Sequence, residues 1–320
     1  MNARLRRLGL VMFATACAVL AAGAAAAGEL KELNISYVKA PFNLQVMVMR
    51  SQQMLEKEFA PDGVEIRWRE ITSGAKQAEA MAAGSLDIAS VINTTSVLLA
   101  NAGGNRIKII GGVSRPSRTF AIVAGKNGPA TVAELKGKIV AGPKGTVLHQ
   151  MLLAALAKEG LKASDVKFVN MKLPQARTAM LSGSVDAALL AASLVIKSEE
   201  AGAHVIVTAD GLVTPKLVSA ASEAFAAEHP DVVARYEKVF RKAMDFTHRN
   251  PAQAVAIGAK EHGVSIKDGQ ILADWAGFTD HLDASDIDSM RDDLEFLQQN
   301  DMLKRAFDPA TACLPIAFME

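Results

Sequence analysis

The chain has 320 residues, of which 35 are Lys or Arg and 34 are Asp or Glu, so its formal net charge is +1. This balance supplies no excess of positive charge for a phosphate backbone, and it argues against nucleic-acid binding. Half of the residues are apolar, which is enough for one or two hydrophobic cores in a chain of this length.

The first 27 residues have the pattern of a secretory signal peptide. Three arginines in the first seven residues precede an apolar run over residues 8–20, and small residues continue to Ala27. This order predicts export and cleavage near Ala27. A membrane anchor is the alternative, but the run is short for a bilayer span. The remaining 293 residues carry 32 basic and 34 acidic side chains and the single cysteine Cys313, so no intrachain disulfide is possible.

Strands and helices alternate through the first two thirds of the chain. One helix is predicted over residues 44–59, and from Ser222 onward the chain reads as helical, with breaks at Pro230, Pro251 and Gly263. This alternation indicates parallel βαβ units and an α/β fold. Strands are predicted near residues 33–38, 64–68, 86–89, 107–111, 120–124, 138–141, 166–169, 187–190, 205–207 and 216–220.

One segment occurs twice, about a hundred residues apart. The copies read A-M-A-A-G-S-L-D-I-A over Ala80–Ala89 and A-M-L-S-G-S-V-D-A-A over Ala179–Ala188. Each copy predicts the last turn of a helix, a Gly with positive φ after it, and a strand start that carries Asp. Chance similarity in an Ala/Gly/Ser-rich chain is the alternative. Two related α/β halves are the favoured interpretation, with each Asp accepting hydrogen bonds from backbone N–H groups.

The repeat predicts a domain inserted into another domain. We expect lobe I over residues 28–119 and 217–320, and lobe II over residues 120–216, with the chain crossing near 119–124 and 216–220. The C-terminal helices would pack on lobe I. This arrangement makes a hinge and a cleft.

Candidate ligand-binding residues follow the predicted strands in both lobes. In parallel α/β sheets, ligands collect beyond the carboxyl ends of strands, where helix N-termini favour anions. Four such places are residues 40–43, 73–74, 93–95 and 144–146. Arg115 and Arg118 follow a strand near the crossing, where a guanidinium suits an oxyanion; a structural role for them is equally expected. His149 is expected to be a helix histidine rather than a ligand.

No catalytic or metal-binding motif is present. The sequence has no G-x-G-x-x-G, G-x-S-x-G or H-E-x-x-H segment, and its six histidines are dispersed. We therefore expect no cofactor, no metal and no enzymatic activity.

Several segments, in this order and spacing, resemble the periplasmic substrate-binding proteins of ABC importers, in the aliphatic-sulfonate/taurine/nitrate (NMT1-like) family. The resemblance covers nearly the whole chain after the signal peptide. It is carried by L-x-I-x-Y-x-K over Leu33–Lys39, the helix Gln53–Phe59, G-S-L-D-I over Gly84–Ile88, the stretch Thr131–Gly137, K-G-T-x-x-H over Lys144–His149, and G-S-V-D-A over Gly183–Ala187.

The resemblance implies the type II periplasmic-binding-protein fold, in which two doubly wound α/β lobes are joined by two crossing strands. The chain departs from the family where sulfonate binders tend to carry Gly-Asp, here Ile92-Asn93, and a Trp-Asp-Pro-like segment, here Ala191–Ser193. The small side chains of Ala191–Ser193 predict a ligand that is bulkier or less polar than taurine. With Arg115 added from the argument above, the predicted ligand-binding residues are Tyr37, Lys39, Pro41, Phe42, Asn43, Ser73, Gly74, Asn93, Thr94, Arg115, Lys144, Gly145, Thr146, Ala191 and Ser193.

The leading hypothesis is a monomeric solute-binding protein that captures a small organic anion, sulfonate-, carboxylate- or nitrate-like. It would deliver this anion to a permease and ATPase in the inner membrane. The first alternative is an enzyme of the same fold acting on a small acid or a pyrimidine precursor. Such enzymes usually lack a signal peptide. An extracellular sensor domain is the third hypothesis.

Overall fold

The computed structural model describes residues 30–38, 42–303 and 305–319. The predicted signal peptide, residues 1–27, lies outside the described residues. No helix of the described part of the chain is long and apolar enough to cross a membrane.

The described residues form ten strands and twelve α-helices that alternate as the sequence predicts. The strands are β1 (Glu32–Tyr37), β2 (Glu65–Glu70), β3 (Ile88–Asn93), β4 (Ile107–Ser114), β5 (Phe120–Ala124), β6 (Ile139–Gly142), β7 (Lys167–Asn170), β8 (Ala187–Ala191), β9 (His204–Thr208) and β10 (Leu217–Ser222). The helices are α1 (Leu44–Ser51), α2 (Met54–Phe59), α3 (Gly74–Ala82), α4 (Thr94–Ala102), α5 (Val147–Lys158), α6 (Leu173–Leu181), α7 (Ser193–Glu200), α8 (Glu223–Glu228), α9 (Pro230–Arg249), α10 (Pro251–His262), α11 (Ile266–Ala276) and α12 (Ala284–Gln299).

The strands form two five-stranded sheets with equivalent topology. The order is β2-β1-β3-β10-β4 in one sheet and β7-β6-β8-β5-β9 in the other. In each sheet the first three strands are parallel and the fourth is antiparallel to both of its neighbours. We call the first sheet with α1–α4 and α8–α12 lobe I, and the second sheet with α5–α7 lobe II. The chain passes between them through residues 115–119 and 209–216.

The repeated segment occupies the same place in both sheets, which confirms the two related halves. Each copy leads into the third strand, and its Gly has a positive φ, 66° at Gly84 and 76° at Gly183. The carboxylate of Asp87 accepts a 2.8 Å hydrogen bond from the backbone N–H of Asn34 in β1. The carboxylate of Asp186 accepts a bond of the same length from Ile139 in β6. The two Asp side chains therefore tie neighbouring strands together, as predicted.

Each sheet has its own apolar core. In lobe I, residues of β3 and β4 such as Ile92 and Ile109 pack with Leu294 and Leu297 of α12. In lobe II, Val123 of β5 packs with residues of β8 and α6. The C-terminal helices α9 and α10 pack against α1, and α12 packs against α4, so the lobe I core includes residues from both ends of the sequence.

The helix predicted over residues 44–59 is two helices, which corrects the sequence-based prediction. The break lies at Gln53, whose φ of 53° is left-handed. Both helices pack on α9, but α2 also packs against β2, whereas α1 packs on α10. The apolar periodicity continues across the break, so the sequence pattern gives no sign of it.

A carboxylic acid lies fully buried in the lobe I core. Glu237 of α9 has no exposed surface, and its Oε1 accepts a 2.7 Å hydrogen bond from the hydroxyl of Ser219. Burial raises the pKa of Glu237 to about 8, although Ser219 and Arg241 favour the charged form. The folded protein therefore keeps this proton at pH values where the unfolded chain releases it.

We expect Glu237→Gln to gain stability over the wild type as pH rises from 5 to 8. Between the unfolded pKa and the raised folded pKa, the wild type loses up to ~1.4 kcal/mol of unfolding free energy per pH unit, and the amide has no such term. Urea unfolding at several pH values measures the difference. Glu200→Gln, on the exposed end of α7, is the control. A difference between Glu237→Gln and wild type that does not vary with pH would contradict the buried neutral acid.

Candidate functional site

The N-termini of α3 and α4 touch in lobe I, at two of the predicted places. A Cβ atom at Gly74 would lie 2.5 Å from Ser96 Oγ and 2.8 Å from Asn93 Nδ2, so only Gly fits here. Asn93 caps α4, because its Oδ1 accepts a 2.8 Å hydrogen bond from the backbone N–H of Ser96. Thr94 is buried, and its N–H donates to the carbonyl of Lys216 just before β10.

The third predicted place, residues 144–146 of lobe II, lies against the same helix ends. The hydroxyl of Ser96 donates to the carbonyl oxygen of Gly145 at 3.3 Å. Gly145 has a φ of 70°, and the turn is fixed by a bond from Thr146 Oγ1 to Pro143 O. Lys144 is exposed beside this turn. Three helix N-termini from two lobes therefore meet in one place.

The strand end of β8 forms a second junction between the lobes. Ser193, the first residue of α7, makes a 2.8 Å hydrogen bond with His262 Nε2 at the end of α10. The His262 ring meets Phe42 edge to face, with centroids 5.5 Å apart. Phe42 is buried against Gly258 and Gly269. Sequence analysis missed His262 because no motif marks it.

The backbone before Ser193 is strained. Ala192 has a φ of 52° and a ψ of −129°, a conformation that a side chain normally disfavours. Such outliers persist only where the surrounding structure imposes them, and they cluster at functional sites. Ala191 and Ala192 are both buried.

The remaining predicted residues near β1 either make contacts within lobe I or lie outside the described residues. The ring of Tyr37 lies under the Arg50 guanidinium, 3.7 Å from its carbon, and the hydroxyl donates to Glu70. Tyr37 thus shares the sheet face of α1, because it alternates in phase with Leu33 and Ile35. Asn43 is buried before α1. Ser73, in extended backbone directly before Gly74, lies where the N-termini of α3 and α4 touch. Lys39 and Pro41 lie outside the described residues.

The guanidinium of Arg115 is engaged within lobe I. Its Nε donates to Asp286 Oδ1 at 3.1 Å, and its Nη2 donates to Asp286 Oδ2. The same Nη2 lies 3.4 Å from Asp283 Oδ2. The hydrogen bond with Asp286 is the main cause of a raised pKa for Arg115. This pairing favours the structural interpretation of Arg115 over the ligand-binding one. Arg118 is exposed.

His149 is buried inside lobe II. Its ring packs on Phe168, with centroids 4.5 Å apart. Burial, with a smaller effect of Lys144, lowers the pKa of His149 to about 4, so the imidazole is neutral at physiological pH. Its Nδ1 has no hydrogen-bond partner among the described residues. The ring packing is that of a helix histidine, but the unpartnered Nδ1 departs from the hydrogen-bonded histidine that the sequence favoured.

An open groove of about 590 Å³ lies elsewhere on lobe I, between α1, α2 and α10. Trp68, Arg50 and Glu261 line it, and Arg50 pairs with Glu261. None of the predicted ligand-binding residues that the structure describes lines this groove. Within the described residues, no group of three or more His, Cys, Asp or Glu side chains could hold a metal ion.

Comparison with known proteins gives one family and one fold. The model of the family described as NMT1/THI5 like matches residues 59–254. A provisionally named aliphatic sulfonates-binding protein of Escherichia coli K12 is 34% identical over 165 residues, which are 51% of this chain and 50% of that protein. A Bacillus subtilis 168 protein with the same provisional name is 32% identical over 220 residues, 68% of this chain and 65% of that protein. The chain thus matches half to about two thirds of these relatives' lengths.

A solved structure has the same architecture. The alkanesulfonate-binding protein SsuA from Xanthomonas axonopodis pv. citri, bound to MOPS, superposes with a TM-score of 0.80 at 24% identity. The superposition covers 89% of this chain and 98% of that one. Two α/β lobes of the periplasmic-binding-protein type are therefore the fold of this protein, as the sequence predicted.

Replacing Ala192 with Gly tests the strain at the β8–α7 junction. Gly adopts a positive φ without cost, whereas Ala pays ~1–3 kcal/mol in such a conformation. We expect Ala192→Gly to be more stable than Ala191→Gly, its neighbour in regular strand, by more than ~1 kcal/mol. Chemical unfolding of both variants measures this. Equal destabilisation of the two would contradict strain at Ala192.

Proposed function

The chain belongs to the NMT1/THI5-like family, whose model covers more than half of its residues, and on that premise we propose a specific transport role. It is the substrate-binding protein of an ABC-type importer and captures a small organic anion between its lobes. It then delivers this anion to a permease and ATPase in the inner membrane. The relatives named as sulfonate-binding proteins support the substrate-binding role.

The convergence of α3, α4 and α5 at Gly74, Ser96 and Gly145 is the observation that carries the proposal. The N-terminus of a helix bears a partial positive charge and favours negatively charged groups. Two of these ends belong to lobe I and one to lobe II, so a ligand among them contacts both lobes. Such a ligand favours the closed arrangement, because contacts with both lobes exist together only there.

The ligand-binding residues of this proposal are those nearest the convergence, namely Ser73, Gly74, Asn93, Lys144 and Thr146. An anion with a larger or less polar body than taurine is the preferred ligand. The support for this size is the small side chain of Ala191 and of Ala192 where sulfonate binders of the family tend to carry larger residues. We place the mature protein in the periplasm as a monomer, after removal of residues 1–27.

An enzyme of the same fold is the alternative function. The relatives compared above carry names of binding proteins, which supports the non-enzymatic role. Mass spectrometry of each candidate ligand after incubation with the protein distinguishes the two, since an enzyme changes the ligand and a binding protein returns it unchanged.

Thermal unfolding of the mature protein, freed of copurified ligand, identifies the ligand class. The panel contains alkyl and aryl sulfonates, taurine, nitrate, aliphatic and aromatic carboxylates, and pyrimidines. A ligand at a hundred times its Kd adds ~2.7 kcal/mol to the unfolding free energy and raises Tm by a few degrees. We expect the largest shift with a sulfonate or carboxylate bulkier than taurine. No shift with any anion would contradict the proposed function.

Lys144→Ala should weaken binding of the anion that gives the largest Tm shift by ~2–5-fold. The effect is modest because the attraction between an exposed cation and an anion is weakened by the surrounding water and salt. The loss should shrink at 0.5 M salt, where such attraction is screened. Isothermal titration calorimetry measures Kd at both salt concentrations. Lys158→Ala, at the opposite end of α5, is the matched control. Equal effects of the two variants would remove Lys144 from the binding site.

A further inference from the structure

One face of α12 is bonded to both connections between the lobes. Asp286, Ser289 and Asp293 are spaced three and four residues apart, so their side chains share a helix face. Asp286 accepts from Arg115, which directly follows β4. Ser289 Oγ lies 2.6 Å from the ammonium group of Lys216, which directly precedes β10. Helix α12 therefore holds the two segments that join the sheets.

The third residue of this face reaches across to lobe II. Gln150 Nε2, from α5, donates a 2.7 Å hydrogen bond to Asp293 Oδ1. The other end of the same amide accepts a 2.6 Å bond from Thr95 Oγ1 of α4. Gln150 is 2% exposed, and Thr95 and Asp293 are also buried. A lobe II side chain is thus bound at both ends by lobe I.

We propose that Gln150 is a positioning residue for ligand capture, whose amide holds the lobes together in the absence of ligand. The inference rests on the proposed function, because it assumes that closure around a ligand is the binding event. All its bonds are made by protein groups, so the contact needs no ligand to form. The ligand-free protein would accordingly spend part of its time closed.

The chemistry of the contact favours a strong effect. A hydrogen bond to a carboxylate is stronger than one between neutral groups, and burial strengthens it further. Burial raises the pKa of Asp293 to about 6, while Gln150 and Lys216 favour its charged form and Asp292 opposes it. Burial lowers the pKa of Lys216 beside it, whereas Asp293, Asp286 and Asp283 favour its charged form and Arg115 opposes it. At pH 7.5 Asp293 is therefore ionised, and opening the lobes removes its amide partner.

The test measures the open and closed populations of the ligand-stripped protein at pH 7.5 by small-angle X-ray scattering. Gln150→Met keeps a similar volume and removes the amide, and we expect the closed-to-open ratio to fall by ~10-fold or more, with a larger radius of gyration. Gln175→Met, on the exposed face of α6 in lobe II, should scatter as the wild type does. Circular dichroism verifies that each variant is folded.

Exchanging the two partners separates this bond from a general packing effect. In the double variant Gln150→Glu with Asp293→Asn, the amide and the carboxylate change places, and Thr95 can still donate to residue 150. We expect it to recover the compact scattering profile. Identical radii for wild type and Gln150→Met, or a double variant as open as Gln150→Met, overturns the proposal. Neither result depends on any ligand, so the proposed function is tested separately by the ligand panel.

Discussion

The common direction of the first three strands in each sheet is the constraint on which the rest of the structure depends. Because β1, β2 and β3 run in the same direction, every helix that follows one of them begins at the same edge of the sheet. The repeated Asp residues fix this arrangement, since Asp87 and Asp186 each bond the neighbouring strand's backbone. Helix N-termini then converge without any further sequence requirement except a Gly at position 74, where two helices touch.

Hydrogen bonds of differing chemistry join the two lobes, and three of them lie at separate places. The Ser96–Gly145 bond joins helix ends, the Ser193–His262 bond joins α7 to α10, and the Gln150–Asp293 bond is buried near the chain crossings. All three are polar, in contrast to the apolar interior of each lobe. The bonds between neutral groups are exchanged for water with a small net change in free energy, whereas the bond to the Asp293 carboxylate contributes more. An interface built from them can open and close without unfolding either lobe.

Sequence reasoning succeeds where a local rule determines the structure. The positive φ at Gly84 and Gly183 and the alternation of strands and helices follow from the chemistry of single residues and their spacing. The fold itself was predicted through a family resemblance added to this alternation. The direction of a side chain at a strand end does not follow from such a rule. Tyr37 ends β1, near the predicted ligand-binding place, but its ring is in phase with Leu33 and faces α1.

The contacts that sequence reasoning missed are those between distant segments. Gln150 and Asp293 are 143 residues apart, and Ser193 and His262 are 69 apart. No periodicity links such pairs, and each residue taken alone is an ordinary helix residue. Arg115 is similar, because only the position of α12 reveals that its charge is neutralised by Asp286. The positive φ of a glycine after a helix is a local property, whereas the partner of a buried polar group depends on the packing of the whole chain.

In the proposed function, a ligand between the lobes and the hydrogen bonds that join the lobes favour the same closed state, so the affinity for the ligand depends on both. A ligand can shift the equilibrium between open and closed states only by its difference in affinity for the two. If only a small fraction of the protein is closed, the apparent Kd rises in inverse proportion to that fraction. Bonds such as Gln150–Asp293 raise the closed population before the ligand arrives.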